Sequence, residues 1–387
     1  MAVSRTVRVL LIIFSTVTGS LAQDQAQHSG QPGATVPERV ILDEVSTIPV
    51  PSLPAESIAA PVFCEPDGGI LFRLAMPETG LEDPLSVSSD GKTVVRFGKE
   101  KINDINRPVL LNMFLSGSDL YVLTRGSIPL GYETKWRTPA GDVHSQQAAK
   151  SSVFIAHFSQ HEGTYAGSVP LDLPFLPLHL GVFENGDFLI AGADPATDEP
   201  RVAIVGSNGQ LRKFVELPGD VHAQGDSGGS AKEKDPTALP RFSASQGGAR
   251  SLRDAVYTSR IAKDGPNLLL YRPLSGPVFS VSPSGEARVH KLKVEGDYRL
   301  FTIKAARNSW IVEFIREVPH HGPATEFATY AFDSETGAPL REYFFPTDLG
   351  WGLACTDGNE FTFVMAETES GRSGIKLVKL APSTRPN

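Results

Sequence analysis

The stretch "LGVFENGDFLIAGA" (Leu180–Ala193), followed by "RVAIVGSNGQLRKFVEL" (Arg201–Leu217), decides the fold. Each part has two strand-like runs on either side of an Asn-Gly pair, at Asn185-Gly186 and Asn208-Gly209. Asn-Gly pairs accept the positive φ angles of tight hairpin turns, so each pair predicts two antiparallel strands. The two turns lie 23 residues apart. This stretch therefore predicts a four-stranded antiparallel meander.

The same turn chemistry recurs along the chain. Further pairs of this kind, each between strand-like residues, are Asp67-Gly68, Asp90-Gly91, Asp264-Gly265, Ser284-Gly285 and Asp357-Gly358. With Gly117 and Asn308 as additional first turns, six units follow one another at steps of 44 to 79 residues. The 36 Gly and 30 Pro residues leave little room for long helices. Meanders that repeat in this way predict an all-β fold, a six-bladed β-propeller of four-stranded antiparallel blades. A seven-bladed ring and a pair of β-sandwiches stay open as alternatives.

The last unit ends one strand short, and a segment near the amino terminus can supply the missing strand. The segment "ERVILDEVS" (Glu38–Ser46) has strand composition but no hairpin partner of its own. Propellers are commonly closed by a terminal strand, because closure removes an exposed sheet edge. We expect Val40 to Val45 to pair beside Ile375 to Leu380, so that the ring is closed by an N-terminal strand. The alternative is an extended leader packed on the outside.

On this repeat rhythm, and on turns such as "ENGD" and "SSDG", the chain resembles exported bacterial six-bladed propellers of the broad TolB-like and NHL-like class. The likeness covers roughly residues 38 to 382. It implies a single propeller domain and no particular family. No blade motif specific to one family is present, so no functional residue carries over.

The amino terminus predicts export. Arg5 and Arg8 precede the apolar run Val9–Val17, and Ser20 and Ala22 flank Leu21. This is the layout of a secretory signal peptide (residues 1–22), which predicts a periplasmic or secreted protein. The apolar run is well short of the roughly 20 residues that span a bilayer, which disfavours the alternative of a retained anchor. A polar leader, residues 23–37, has the composition of a disordered segment.

Charge and hydropathy restrict the classes of binding partner that the protein can have. The net charge of -8 and the absence of a long basic run argue against nucleic acid as a binding partner. No later segment is apolar enough to insert into a membrane. We expect residues 38–382 to form a monomer that binds an unknown protein, peptide or glycan.

Cys64 and Cys355 precede Asp-Gly turns at nearly equivalent places in the first and last units. Two cysteines in an exported protein favour a disulfide. Such a bond needs α carbons within about 7 Å. Equivalent positions in adjacent blades can lie further apart, so the sequence leaves this candidate open.

Three long insertions are predicted to rise from one rim of the ring, where binding residues usually lie. They are residues 126–151, a flexible inter-blade loop at 217–251, and residues 316–327. The first insertion offers Tyr132, Trp136 and Arg137, an aromatic and cationic set suited to a peptide or a glycan; the alternative is a loop that folds its Trp onto its own blade. Histidines expected on the same face are His144, His222, His320 and His321.

The sequence does not predict a metal site or a cofactor. The four histidines lack ligand spacing, and no Asp-rich calcium loop is present. Binding without catalysis is therefore the leading function. The alternative is a metal-dependent propeller hydrolase or lactonase, with Glu65, Glu184 and Asp357 as candidate channel carboxylates, although each also has a turn or hairpin explanation.

The segment "GDSGGS" (Gly225–Ser230) resembles the nucleophile loop of trypsin-like serine proteases. Those enzymes need a base oriented by a third group near the serine. Here a polar, Pro-interrupted stretch follows Ser227 where a core strand is needed, and no matching His or Asp segment precedes it. We therefore interpret the segment as a flexible linker and predict no catalytic residue.

Overall fold

The computed structural model describes residues 36–50, 58–76, 80–159, 163–197, 199–218, 260–273, 277–318, 324–345, 353–369 and 372–383. These residues belong to one compact unit, Val36–Asn387. The signal peptide, nearly all of the leader and the loop beyond Pro218 lie outside the described residues, so those assignments stay predictions. In the part of the chain that the structure describes, no helix has the length and hydropathy needed to cross a bilayer.

The described chain is built from β-strands with one 3-10 turn at Lys99–Lys101. In chain order the strands are β1 (Glu38–Val50), β2 (Ile58–Cys64), β3 (Ile70–Met76), β4 (Gly80–Val87), β5 (Val94–Arg96), β6 (Asn106–Ser116), β7 (Asp119–Arg137), β8 (Val143–Ser159), β9 (Thr164–Leu171), β10 (Leu176–Val182), β11 (Phe188–Ala193), β12 (Pro200–Val205), β13 (Leu211–Phe214), β14 (Arg260–Asp264), β15 (Asn267–Tyr271), β16 (Val278–Val281), β17 (Ala287–His290), β18 (Arg299–Ala306), β19 (Ser309–Val318), β20 (Ala324–Asp333), β21 (Pro339–Phe344), β22 (Leu353–Thr356), β23 (Phe361–Glu369) and β24 (Arg372–Pro382).

The strands form four separate four-stranded sheets and one eight-stranded sheet. The four-stranded sheets are β2–β5, β6–β9, β10–β13 and β14–β17, and the eight-stranded sheet has the order β18-β19-β20-β21-β1-β24-β23-β22. All neighbours pair antiparallel except β1 and β21. The fold is therefore all-β, as predicted, but the count of six separate blades is wrong.

The count differs because β1 pairs on both of its sides. Its first residues, Glu38 to Ile41, pair in parallel with β21, and Leu42 to Val50 pair antiparallel with β24. This double pairing joins two meanders into one sheet. The predicted pairing of the N-terminal strand with the last unit is confirmed, but its register differs. Val40 lies opposite Tyr343 of β21, and Ile375 lies opposite Val50.

The hairpin turns form as predicted. All seven turn glycines have positive φ, between 56° and 91°. At Gly186 the backbone N–H donates to the carbonyl of Phe183 at 3.0 Å, and the Phe183 N–H donates to Asp187 at 2.9 Å. The Asn185 side-chain oxygen accepts the N–H of Asp187. The local sequence therefore accounts for the backbone conformation of this turn.

Apolar clusters join successive sheets into a propeller-like ring. One cluster links the first and second sheets through Leu71 and Phe154, and another links the second, third and fourth through Ile155, Ile190 and Leu268. A third cluster packs the fourth sheet on the eight-stranded sheet, and a fourth packs that sheet on the first. Each sheet is therefore stabilised by burying both faces against neighbours.

The structure joins Cys64 and Cys355 by a disulfide, with α carbons 5.0 Å apart. Cys64 ends β2 of the first sheet, and Cys355 lies in β22 of the eight-stranded sheet. The cross-link therefore ties the start of the described chain to its end, a sequence separation of 291 residues.

Candidate functional site

The connection between β7 and β8 is a projecting two-stranded ribbon. The sequence predicts a loop at residues 126–151, but β7 continues to Arg137 and β8 begins at Val143. We call residues 125–152 the arm. Ala148 is the one buried residue in the arm. The arm therefore leaves the ring as regular structure without a core of its own.

The arm has three local features that its sequence explains. At the base, Ser127 of β7 still lies opposite Asn106 of β6. Midway, the register shifts between Pro129 and Glu133, so that residues 130–132 oppose Ala148, and Gly131 accepts a φ of 78°. At the tip, the Thr138 N–H donates to the carbonyl of Asp142 at 2.9 Å. A bulge and a tight turn thus shape a continuous ribbon.

Two of the predicted site residues meet near the tip. Trp136 and His144 lie directly opposite each other, with ring centroids 5.8 Å apart and planes inclined by 19°. Trp136 keeps 48% of its surface exposed, and Tyr132 in the bulge keeps 58%. Trp136 therefore packs on the facing strand of its own ribbon and leaves about half of its surface open to solvent. An exposed aromatic stack of this kind presents a flat apolar surface to solvent.

The arm differs in charge from the rest of the protein. The chain carries a net charge of -8, whereas the arm has a basic excess. Its basic side chains are Arg125, Lys135, Arg137 and Lys150, and its acidic ones are Glu133 and Asp142. All six side chains belong to exposed residues. The arm is thus a basic, partly aromatic projection from an acidic protein.

The remaining predicted histidines cannot be placed beside the arm. His222, His320 and His321 lie outside the described residues, as does Ser227. The placement of the four histidines on one face therefore stays a prediction. In the described ranges no group of three or more His, Cys, Asp or Glu side chains is arranged to hold a metal ion.

The three candidate carboxylates lie in turns of different sheets. The Glu65 N–H donates to Gly69 within the first turn, and Glu184 forms an ion pair with Lys263 at 3.4 Å. Backbone N–H groups of Glu360 and Asn359 lower the pKa of Asp357. The observed contacts therefore hold Glu65 and Asp357 within their own turns and join Glu184 to β14 of the fourth sheet.

One ionisable pair was not anticipated from sequence. Glu313 of β19 is buried, and burial raises its pKa to about 7 although its carboxylate accepts the Leu353 N–H at 3.2 Å. Burial also lowers the pKa of nearby Lys304 of β18 to about 8. Alternation along a strand does not show which face a charged residue takes at a sheet junction, so the sequence carried no signal for this pair.

A cluster of aromatic and ionisable side chains lies between the second and third sheets. His157 stacks on Tyr121 at 4.7 Å with planes 5° apart, and its Nε2 lies 3.2 Å from the Asp119 carboxylate. Burial, and to a smaller extent Asp119, raises the pKa of Tyr121. Tyr121 also packs edge-on against Phe188 of the third sheet. This cluster is therefore a packing contact between the second and third sheets.

Comparison with known proteins assigns no family to the chain. No family model matches the chain, and no curated protein matches it. Among solved structures, a mutant of Trypanosoma rangeli sialidase displaying trans-sialidase activity is 11% identical with a TM-score of 0.41, and the match covers 88% of this chain and 59% of the sialidase. A xylan β-1,4-xylosidase from Bacillus halodurans is 9% identical with a TM-score of 0.38, covering 77% of this chain and 58% of that one. An α-L-arabinofuranosidase from Lactobacillus brevis is 11% identical with a TM-score of 0.36, covering 78% and 98%.

The chain thus spans less than two thirds of the length of the sialidase and the xylosidase. Matches this distant assign no activity, and the narrower TolB-like or NHL-like likeness stays a prediction. The sheets and their packing define an all-β protein with a propeller-like ring. Its distinguishing feature is the arm.

Proposed function

We propose that this protein is an exported binding propeller that contacts its ligand through the arm, without catalysis. The ring serves as a rigid mount, and the ligand is a protein, a peptide or an envelope glycan. The observation that carries the proposal is the Trp136–His144 stack, which stays exposed on a ribbon that has almost no buried residues.

The energetics of the arm support a binding role. An isolated two-stranded hairpin is marginally stable in water. The arm nevertheless exposes large apolar side chains, namely Ile128 at 40%, Leu130 at 46%, Tyr132 at 58% and Val143 at 60%. Exposed apolar groups that cluster on one projection are typical of interaction sites. A ligand that covers them would stabilise the arm and gain affinity from the same contact.

Export is supported by the amino-terminal pattern of residues 1–22 and by the disulfide, because disulfides persist in oxidising compartments. Fractionation of cells that express the full chain tests this part of the proposal. The expected product lies outside the cytoplasm and begins at Gln23, and a cytoplasmic, uncleaved chain would contradict export.

Replacing the arm with a minimal turn tests the binding role. Ile128 lies directly opposite Lys150, so Asn-Gly in place of residues 129–149 joins them by a two-residue hairpin. We expect this variant to keep the thermal stability of the ring. It should lose binding to those members of a random peptide library and a polysaccharide panel that bind the full chain.

Two point variants sharpen the test. Trp136→Ala should lower affinity for the same ligands by about tenfold or more, as expected for an aromatic side chain that the bound ligand buries. Val289→Ala removes an apolar side chain of comparable exposure outside the arm, so it should leave affinity unchanged. If the shortened arm binds every ligand as the full chain does, the arm is not the contact element and the proposal is wrong.

A further inference from the structure

The arm has two open backbone edges. Above Ser127 no described strand pairs with the outer side of β7, and none pairs with the outer side of β8 from Val143 to Ser152. An unpaired strand edge presents a row of N–H and C=O groups that can bond to another strand. Proteins usually protect such edges, so the protection of each edge can be compared.

The β7 edge is interrupted. Pro129 has no N–H to donate, and the bulge at residues 130–132 shifts the ribbon next to it. Gly131 takes a φ of 78°, which is incompatible with regular pairing. Proline and bulges are the features that blunt edges in natural sheets.

The β8 edge has none of these features. Residues 143–151, "VHSQQAAKS", contain no proline, no glycine and no acidic side chain. Their pairing with β7 uses every residue in order from Val143 to Gln147 and from Ala149 to Ser151, with only Ala148 facing the bulge. The side chains are mostly short, so another strand can approach. This edge is regular over about nine residues, and its only charged side chain is Lys150.

The pairing register of β7 and β8 shows which backbone groups of β8 point away from β7. The Thr138 N–H donates to the carbonyl of Asp142, so the alternation of antiparallel pairs makes Trp136–His144 and Thr134–Gln146 the hydrogen-bonded pairs. Even-numbered residues of β8 therefore direct their backbone groups toward β7. The backbone groups of odd-numbered residues face the open edge, and these residues are Val143, Ser145, Gln147, Ala149 and Ser151.

We propose that the β8 edge of the arm binds an extended peptide with acidic side chains, which adds to the ribbon as a third strand. Backbone pairing would supply the affinity, as in other cases of strand addition. The charge preference follows from the basic excess of the arm, where Lys150 lies on β8 and Lys135 and Arg137 lie on β7. This inference rests on the proposed binding function and names its ligand class.

Synthetic peptides test the inference on the full chain. The probe is a peptide of about nine residues that alternates Thr and Glu, since this length matches the open edge at about 3.4 Å per residue. The controls are a peptide with Lys in place of Glu, and one with Pro in place of every Thr. We expect the Thr-Glu peptide to bind at least about tenfold more tightly than either control. Binding should slow amide exchange at Ser145, Gln147 and Ala149 but not at Lys135.

A matched pair of proline variants isolates the edge. Ser145 and Lys135 lie directly opposite each other, and both direct their N–H outward on opposite edges. Ser145→Pro removes an edge donor without breaking the ribbon, so it should weaken peptide binding by about tenfold or more. Lys135→Pro should weaken binding no more than Lys135→Ala, which corrects for the lost charge.

The alternative outcomes separate this inference from the proposed function. Equal effects of Ser145→Pro and Lys135→Pro would overturn the assignment to β8. Binding of a polysaccharide that depends on Trp136 and ignores Ser145→Pro would overturn strand addition and leave the binding function standing. A concentration-dependent dimer that Ser145→Pro abolishes would assign the edge to a second copy of the chain instead.

Discussion

The third sheet and the arm use the same antiparallel pairing but differ in what surrounds it. All six residues of β11 are buried, whereas in the arm only Ala148 is buried. The third sheet packs on the second and fourth sheets through both faces, whereas above Ser127 the arm has no described strand beyond its own pair. The comparison shows that burial, rather than backbone pairing, separates the stable part of the molecule from the part that is available for binding.

The largest effect is expected where the ring is cross-linked. Replacing both Cys64 and Cys355 with serine frees a loop of 291 residues, and the chain-entropy model gives a loss of up to about 6 kcal/mol in the free energy of unfolding. Urea denaturation with and without reductant measures this loss. The arm should keep its ligand affinity in the serine variant as long as the ring is folded. Two free thiols in the non-reduced wild-type protein would contradict the disulfide.

The same substitution in both regions compares them directly. Leu189 in β11 is fully buried, so Leu189→Ala should lower the free energy of unfolding by about 3 kcal/mol. Leu130 in the arm is 46% exposed, so Leu130→Ala should change the free energy of unfolding by less than about 0.5 kcal/mol. Chemical denaturation monitored by tryptophan fluorescence gives both values. Similar losses in the two variants would mean that the arm belongs to the cooperative core.

The pH dependence of stability should come from the ring. Burial raises the pKa of Glu313 to about 7 in the folded protein. Folding therefore favours its protonated form, and the stability that this form provides is present below the unfolded pKa of about 4.3 and is lost as the pH rises through 7. In the wild type the free energy of unfolding should fall by about 2 kcal/mol between pH 4.5 and 7, and Glu313→Gln should remove this fall.

Glu133→Gln in the exposed arm is the matched control for this measurement. It should leave the pH profile of thermal unfolding unchanged, because Glu133 is exposed on the arm and lies outside the packed sheets. A wild-type profile that is flat over this range would contradict the raised pKa of Glu313.

The smallest effect concerns two turns of the same kind. Gly186 and Gly141 both have positive φ, and a Cβ at Gly141 would meet no atom within 4 Å, while the nearest at Gly186 is at 4.0 Å. Alanine therefore adds backbone strain of about 1 kcal/mol at each position. Gly186→Ala should lower global stability by that amount. Gly141→Ala should leave global stability unchanged and speed amide exchange in the arm alone.

The sequence was informative where structure is local. The seven turn glycines were predicted correctly because a positive φ is a requirement of the single residue and its neighbours. The arm was missed because Pro129, Gly131 and Pro139 are typical of a loop, and its paired residues lack the alternating apolar pattern of a half-buried strand. Trp136 and His144 were both named as candidates, but only the register of β7 and β8 places them together.

By itself, therefore, the sequence determined the strand-and-turn rhythm, the all-β class and the presence of exposed aromatic and basic residues in the first long insertion. Only the tertiary structure decided that β1 pairs with both β21 and β24, that Cys64 lies 5.0 Å from Cys355, and that the insertion is a ribbon with an open edge. The physical reason is the separation along the chain of the residues that determine each feature. A turn is fixed by a few consecutive residues, whereas pairing partners and edges depend on which distant strands the packed sheets bring together.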